Sequence, residues 1–224
     1  MGPLLIYDFD GVIADSEVIA NTVLAEMVTE LGQPTSVRDA YGLYMGKRFS
    51  EVMSAVQGSL GRSLPPTFAA DCQARTLGRF RQELRLVDGV RRYLDAFAHL
   101  PRCIASSSAP DRLAVCLEVL GLHGEFGGNV FSASTVARGK PHPDIFLHAA
   151  QQMRVPPSRS VVLEDSPSGV AAALAAGMTV IGILAASHIQ GGQQERLHSA
   201  EARYVAQSFE EAEAITHRLL AAMP

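Results

Sequence analysis

The first apolar run of the chain, Leu4-Leu5-Ile6-Tyr7, is too short for a helix and stops at the acidic, glycine-bearing stretch Asp8-Phe9-Asp10-Gly11. It reads as a buried strand that runs straight into a loop. Runs of the same kind follow at Cys103-Ile104-Ala105, Val161-Val162-Leu163 and Thr179-Val180-Ile181, each bounded by polar or turn residues. Between them the apolar period changes to that of a helix. Leu113, Cys116, Leu117 and Leu120 fall at i, i+3, i+4 and i+7, with Gly121 placed to end the helix in a left-handed conformation. Ser166 and Pro167 have the cap and first-position chemistry of a helix that Gly177 closes. Ser208 and Glu211 have capping-box spacing ahead of a last helix. Strands that alternate with helices predict a parallel sheet with crossover helices, an α/β doubly wound domain.

Between Asp15 and Asp88 the pattern differs. Helical spacing continues through Val18, Ile19, Val23, Leu24, Met27 and Leu31, and again at Val52, Met53 and Val56, but no buried-strand run occurs. Glycines at 32, 42, 46, 58 and 61 and the pair Pro65-Pro66 punctuate it. The expected organisation is therefore an α/β core made of residues 1–15 and 88–224, interrupted by a helical insert at 16–87.

At 224 residues with 47% hydrophobic and 19% charged positions, the chain has material for one core domain carrying a smaller insert, and disordered, collagen-like and coiled-coil readings are excluded. A net charge of -4 with scattered basic residues does not suit a nucleic-acid partner. No apolar run approaches the roughly 20 residues needed to cross a bilayer, so no membrane partner and a cytoplasmic location are expected. Cys72, Cys103 and Cys116 lack CxxC spacing and read as free thiols. Of the 19 basic residues only Lys47 and Lys140 are lysine, the residue that supplies a compact ammonium on a flexible stem.

Ligands of open parallel sheets bind beyond the carboxyl ends of the strands. Asp8 and Asp10 follow the first strand, Ser106, Ser107 and Ser108 the second, and Glu164 and Asp165 the run at 161–163; Lys140 lies in Gly139-Lys140-Pro141. Four carboxylates, a hydroxyl cluster and an ammonium in one crevice suit a divalent cation with a phosphoryl group, and hard oxygen ligands select Mg²⁺. Two carboxylates one residue apart can divide the labour between nucleophile and proton carrier.

Asp8-Phe9-Asp10-Gly11-Val12-Ile13-Ala14-Asp15-Ser16 resembles the DxDGxxxDS signature of the haloacid dehalogenase-like (HAD) superfamily. Ile104 to Ser108, Gly139 to Asp144 and Leu163 to Ser166 resemble its second, third and fourth motifs, in order and over essentially the whole chain. The resemblance implies a Rossmann-like HAD core with an inserted helical cap, in the subgroup of β-phosphoglucomutase and sugar-phosphate phosphatases. It implies that Asp8 is the nucleophile and forms an aspartyl-phosphate. Asp10 would protonate the leaving oxygen and then activate water, its backbone carbonyl helping to hold Mg²⁺. Ser106, Ser107 and Lys140 would bind the phosphoryl oxygens, and Asp8, Asp10, Glu164 and Asp165 would surround the metal. In the insert, Gly42 to Phe49, hinged by glycines and carrying Gly46, Lys47 and Arg48, is the expected substrate selector.

Two departures separate activities within that subgroup. Its mutases carry histidine at the position of Ala20, and a cap arginine where this chain has Phe49 beside Arg48. A mutase must retain a second phosphate and suppress hydrolysis, so the expectation is a phosphatase of a small phosphate ester, with a sugar or sugar-acid phosphate such as 6-phosphogluconate as substrate and a monomeric state. A phosphosugar mutase and a non-catalytic binding protein on the same scaffold are the alternatives. The histidines lack HxxxH or HExxH spacing and do not suggest zinc.

Overall fold

The computed structural model describes residues 2–44 and 49–223. Two compact units divide the chain: 1–15 with 85–224, and 16–84. The first holds a sheet of six parallel strands, β1 (Leu4–Tyr7), β2 (Arg102–Ser106), β3 (Val130–Ser132), β4 (Ser160–Glu164), β5 (Thr179–Ile183) and β6 (Tyr204–Ala206), ordered β3-β2-β1-β4-β5-β6. This is the doubly wound arrangement, and its strand order reverses around β1. Register brings the strand ends level there, with Tyr7 opposite both Ile104 and Leu163, and the Asp8 N–H donating to the Leu163 carbonyl at 3.0 Å.

The four runs read from the sequence are β1, β2, β4 and β5. β3 and β6 carry no such signal because they are three-residue edge strands, defined by pairing with β2 and β5. The helices of this unit are α5 (Val90–Ala96), α6 (Pro110–Val119), α7 (Asp144–Met153), α8 (Pro167–Ala175), α9 (Gln193–Ser199) and α10 (Phe209–Ala222), numbered after four helices of the other unit. Leu4 and Ile6 pack on one face of the sheet with Ile145, Phe146, Ala149, Val170 and Ala173 of α7 and α8. The alternate residue Tyr7 meets Tyr93 and Phe126 edge to face on the other side, and the Tyr93 hydroxyl bonds Thr216 of α10 at 2.6 Å. Buried tyrosine hydroxyls usually take such a partner. Arg91 of α5 pairs with Glu125.

The unit at 16–84 is helical: α1 (Glu17–Glu30), α2 (Val37–Tyr44), α3 (Phe49–Leu60) and α4 (Phe68–Glu83). It has its own core of Val23, Leu24, Met27, Val28, Tyr44, Val56 and Phe68. α2 is closed at its start by a reciprocal cap, the Ser36 hydroxyl accepting from Asp39 N–H at 3.2 Å while the Asp39 carboxylate accepts from Ser36 N–H at 2.9 Å. Gly42, one of the two glycines expected to hinge the selector segment, lies inside this helix. Gly46, Lys47 and Arg48 lie outside the described residues. The chain re-enters the first unit at Arg85, three residues before the boundary expected at 88, because Asp15 N–H donates to the Arg85 carbonyl and Val87 N–H to that of Ile13. Among the described residues no helix is long and apolar enough to cross a membrane.

Where β4 turns into α8, Ser166 caps the helix by accepting from Gly169 N–H at 3.0 Å. A Cβ on Gly169 would overlap the Glu164 carboxylate, so glycine lets the helix start directly over that side chain. Gly169→Ala gains up to about 1 kcal/mol of helix propensity and loses about 1–3 kcal/mol by overpacking. The expected net result is a lower denaturation midpoint with an unchanged slope in urea; a stabilised variant would contradict the close approach.

All three cysteines are buried thiols. Burial pushes the Cys103 thiol well above its ordinary range, and burial with the nearby Asp10 charge pushes Cys116 up to about 12. Thiolate is the reactive form. Ellman's reagent is therefore expected to label none of the three in the folded protein within minutes and all three after unfolding; prompt labelling of the native protein would show that one of them opens to solvent.

Candidate active site

The short run Leu4 to Tyr7 is wholly buried and places Asp8 at the carboxyl end of the central strand. β4 ends in Glu164 on the adjoining strand, with Asp165 next in the chain. Lys140, from the loop ahead of α7, reaches both strands: its ammonium donates to Asp8 Oδ1 at 2.7 Å, to Glu164 Oε1 at 2.7 Å and to the Ala105 carbonyl of β2 at 3.2 Å. It also sits 4.9 Å from the centre of the Phe146 ring, a cation–π contact. The Lys140–Pro141 peptide is cis.

Side-chain exposure of Lys140, Asp8 and Glu164 is only 5%, 11% and 1%, so these charges interact with little screening by water. Burial alone would depress the Lys140 ammonium, but Asp8 and Glu164 outweigh it and hold its pKa above the ordinary lysine value. Burial raises Asp8 well above the usual carboxylate range, with Glu164 and Asp165 adding repulsion and Lys140 opposing them. Asp165 is raised by burial and by Glu164, against the pull of His188 and Lys140.

Glu164 has both oxygens engaged by protein donors. Lys140 takes Oε1, and the Ser166 N–H and hydroxyl donate to Oε2, each at 2.9 Å. Asp165 is enclosed differently. His188 Nε2 lies 3.2 Å from its Oδ2, Gln193 Nε2 donates to its backbone carbonyl at 2.6 Å, and a Cβ on Gly11 would overlap its carboxylate. Gly11 has φ +82°, a second reason for glycine there.

Asp8, Glu164 and Asp165 each place an oxygen within 4.8 Å of the others, the group of potential metal-holding side chains among the described residues. Lys140 is bonded to only two of these three buried carboxylates, Asp8 and Glu164. A hard divalent cation matches both the charge and the all-oxygen donors, so the residues present fit Mg²⁺. Because Glu164 is committed to Lys140 and Ser166, Asp8 and Asp165 have the better-suited carboxylates.

The Asp10 carboxylate is outside this group. It points to the β2–α6 connection, where Ser108 Oγ donates to its Oδ2 at 2.6 Å and Arg112 Nη2 to its Oδ1 at 2.5 Å. Ser106 is buried and accepts from Ser108 N–H at 3.0 Å, while Ser107 is exposed. Arg112 and His188 do not figure among the residues singled out from the sequence. Arg112 is in the first turn of α6, beyond the serines that mark the end of β2. His188 follows β5, whose carboxyl end the same strand-end rule would have directed attention to.

The haloacid dehalogenase-like hydrolase family matches residues 3–177. The chain is 27% identical over 183 residues to 6-phosphogluconate phosphatase of Escherichia coli K12, covering 81% of this chain and 82% of that protein. It is 29% identical over 195 residues to fructose-1-phosphate phosphatase of the same organism, covering 80% and 95%. A conserved haloacid dehalogenase-like protein of unknown function from Agrobacterium tumefaciens C58 superposes with a TM-score of 0.86 at 35% identity, over 98% of this chain and 99% of that one. With the doubly wound sheet, the strand-end carboxylates and these relatives together, the chain belongs to the haloacid dehalogenase-like hydrolases and is an enzyme of their phosphatase class.

Proposed function

We propose that this enzyme is a Mg²⁺-dependent phosphatase of small sugar or sugar-acid phosphates that works through an aspartyl-phosphate on Asp8. The observation that carries the reading is the buried Lys140 ammonium held between Asp8 and Glu164. A cation fixed against the nucleophile lets a carboxylate approach an anionic phosphoryl group, and it acts with little screening where charge develops in the transition state. The named activities of the E. coli relatives support the substrate class.

In the first half-reaction an Asp8 oxygen attacks phosphorus and the bond from phosphorus to the leaving oxygen breaks, with Asp10 giving that oxygen a proton. In the second, water attacks the phosphorus of the aspartyl-phosphate, Asp10 takes the water proton, and the bond to Asp8 breaks to release phosphate. Lys140 and the Ser106 hydroxyl bind the phosphoryl oxygens throughout. Mg²⁺, when bound by Asp8, Asp165 and the Asp10 backbone carbonyl, supplies charge stabilisation at those same oxygens. Glu164 acts through Lys140, fixing the ammonium where it meets Asp8.

Asp8→Asn is expected to lower Mg²⁺-dependent phosphate release on the order of 10³-fold or more, as loss of a nucleophile does. In a panel of phosphate esters, sugar and sugar-acid phosphates should show higher kcat/KM than nucleotides or aryl phosphates; the reverse order would overturn the substrate class. EDTA should abolish turnover and added Mg²⁺ restore it. Mg²⁺ should also raise the melting temperature of the wild type through preferential binding to the folded state, and this shift should shrink in Asp165→Asn. An equal shift in both proteins would remove Asp165 from the metal site.

A further inference from the structure

We propose that Arg112 is a positioning residue for Asp10, setting the orientation from which its carboxylate serves the leaving oxygen. The proposal rests on the reading of Asp10 as proton carrier, and it assigns to α6 a part in the reaction that the sequence motifs do not contain.

The geometry is that of a two-point clamp. Arg112 Nη2 stands 2.5 Å from Asp10 Oδ1, and the two side chains are 22% and 14% exposed. Ser108 Oγ holds the other oxygen at 2.6 Å. Fixing both oxygens of an aspartate fixes the plane of its carboxyl group as well as its side-chain torsions. Each carboxylate oxygen has a further lone pair, so the clamp orients the group without using up its capacity to give or take a proton.

The clamp is itself anchored to regular structure. Arg112 lies in the first turn of α6, which begins at Pro110. Ser108 donates its N–H to Ser106 Oγ at 3.0 Å, and its carbonyl accepts from Ser132 Oγ, at the end of β3, at 2.6 Å. Asp10 is thereby tied to the ends of β2 and β3, about a hundred residues away in the chain, and catalytic groups held on rigid elements are placed more accurately than groups on loops.

A second consequence concerns charge. Asp8 and Asp10 are one residue apart, and each has its own cation: Lys140 for Asp8 and Arg112 for Asp10. This arrangement keeps the two carboxylates from competing for the Lys140 ammonium, so the nucleophile and the proton carrier hold different positions while carrying similar chemistry. Arg112 reaches Oδ1 through Nη2 while Ser108 takes the other oxygen, so a lysine at 112 would supply the charge from a more mobile, differently placed donor.

The test compares leaving groups in the Mg²⁺-loaded enzyme. An alkyl phosphate needs a proton on its departing oxygen, whereas p-nitrophenolate departs as a stable anion and needs it far less. Arg112→Ala is expected to lower kcat/KM for a sugar or alkyl phosphate about 100-fold, the scale of a misplaced catalytic group, and for p-nitrophenyl phosphate less than about fivefold. Arg112→Lys should recover part of the alkyl-phosphate loss, with both variants folded by circular dichroism. An equal loss for both substrates would make Arg112 merely structural, and a rise in KM alone would make it a substrate contact; either result, like unchanged kinetics, overturns the proposal. Asp10→Asn measured beside them separates the two levels. If it loses activity on both substrates equally or on neither, the proton-carrier reading fails; if it shows the leaving-group dependence while Arg112→Ala does not, the failure belongs to Arg112 alone.

Discussion

A single buried ammonium organises the catalytic end of the α/β unit. Lys140 joins the ends of β1, β2 and β4 through Asp8, the Ala105 carbonyl and Glu164, and it does so with its side chain almost wholly removed from water. Burying charges costs several kcal/mol per ion, and breaking such a pair from one side leaves an uncompensated charge that costs about 3–5 kcal/mol. The surrounding structure is arranged to keep the pair intact. Ser166 satisfies the second oxygen of Glu164 while capping α8, and Gly169 leaves room for the carboxylate beneath that helix.

The same constraint accounts for the polarity of the site. Lys140 bonds Asp8 and Glu164 while Asp165 faces His188, and burial first, then repulsion among the carboxylates, raises Asp8 and Asp165. A divalent cation would relieve that repulsion, which would couple metal binding to the stability of the cluster. Structural proteins do not keep such an arrangement for its stability, because well-packed apolar residues would do as well or better. An enzyme that must bring a carboxylate against a phosphate dianion has a use for it.

Asp10 illustrates how neighbouring residues acquire different roles. Asp8 and Asp10 share a strand end and a residue type, yet one faces Lys140 and the other faces Ser108 and Arg112. The one intervening residue, Phe9, is fully buried, and the chain turns at Gly11 directly after Asp10. The two carboxylates are chemically alike, and their partners make them unlike.

Much of this was legible in the chain alone. Runs such as Leu4 to Tyr7 and Val161 to Leu163 have no polar face, which buried parallel strands require, and the acidic residues that end them follow from where such sheets bind ligands. Asp8, Asp10, Lys140, Glu164 and Asp165 were therefore nameable without coordinates, as was the helical character of the insert. The strands at 130–132 and 204–206 were not, because three-residue edge strands owe their existence to the strand beside them. Nor was the clamp of Arg112 on Asp10 or the contact of His188 with Asp165, since each joins residues that follow different strands and carry no local pattern. Local periodicity and residue chemistry thus determined the elements and the acidic strand ends; which cation each carboxylate meets was decided only by folding, because partners a hundred residues apart are set by strand order and register.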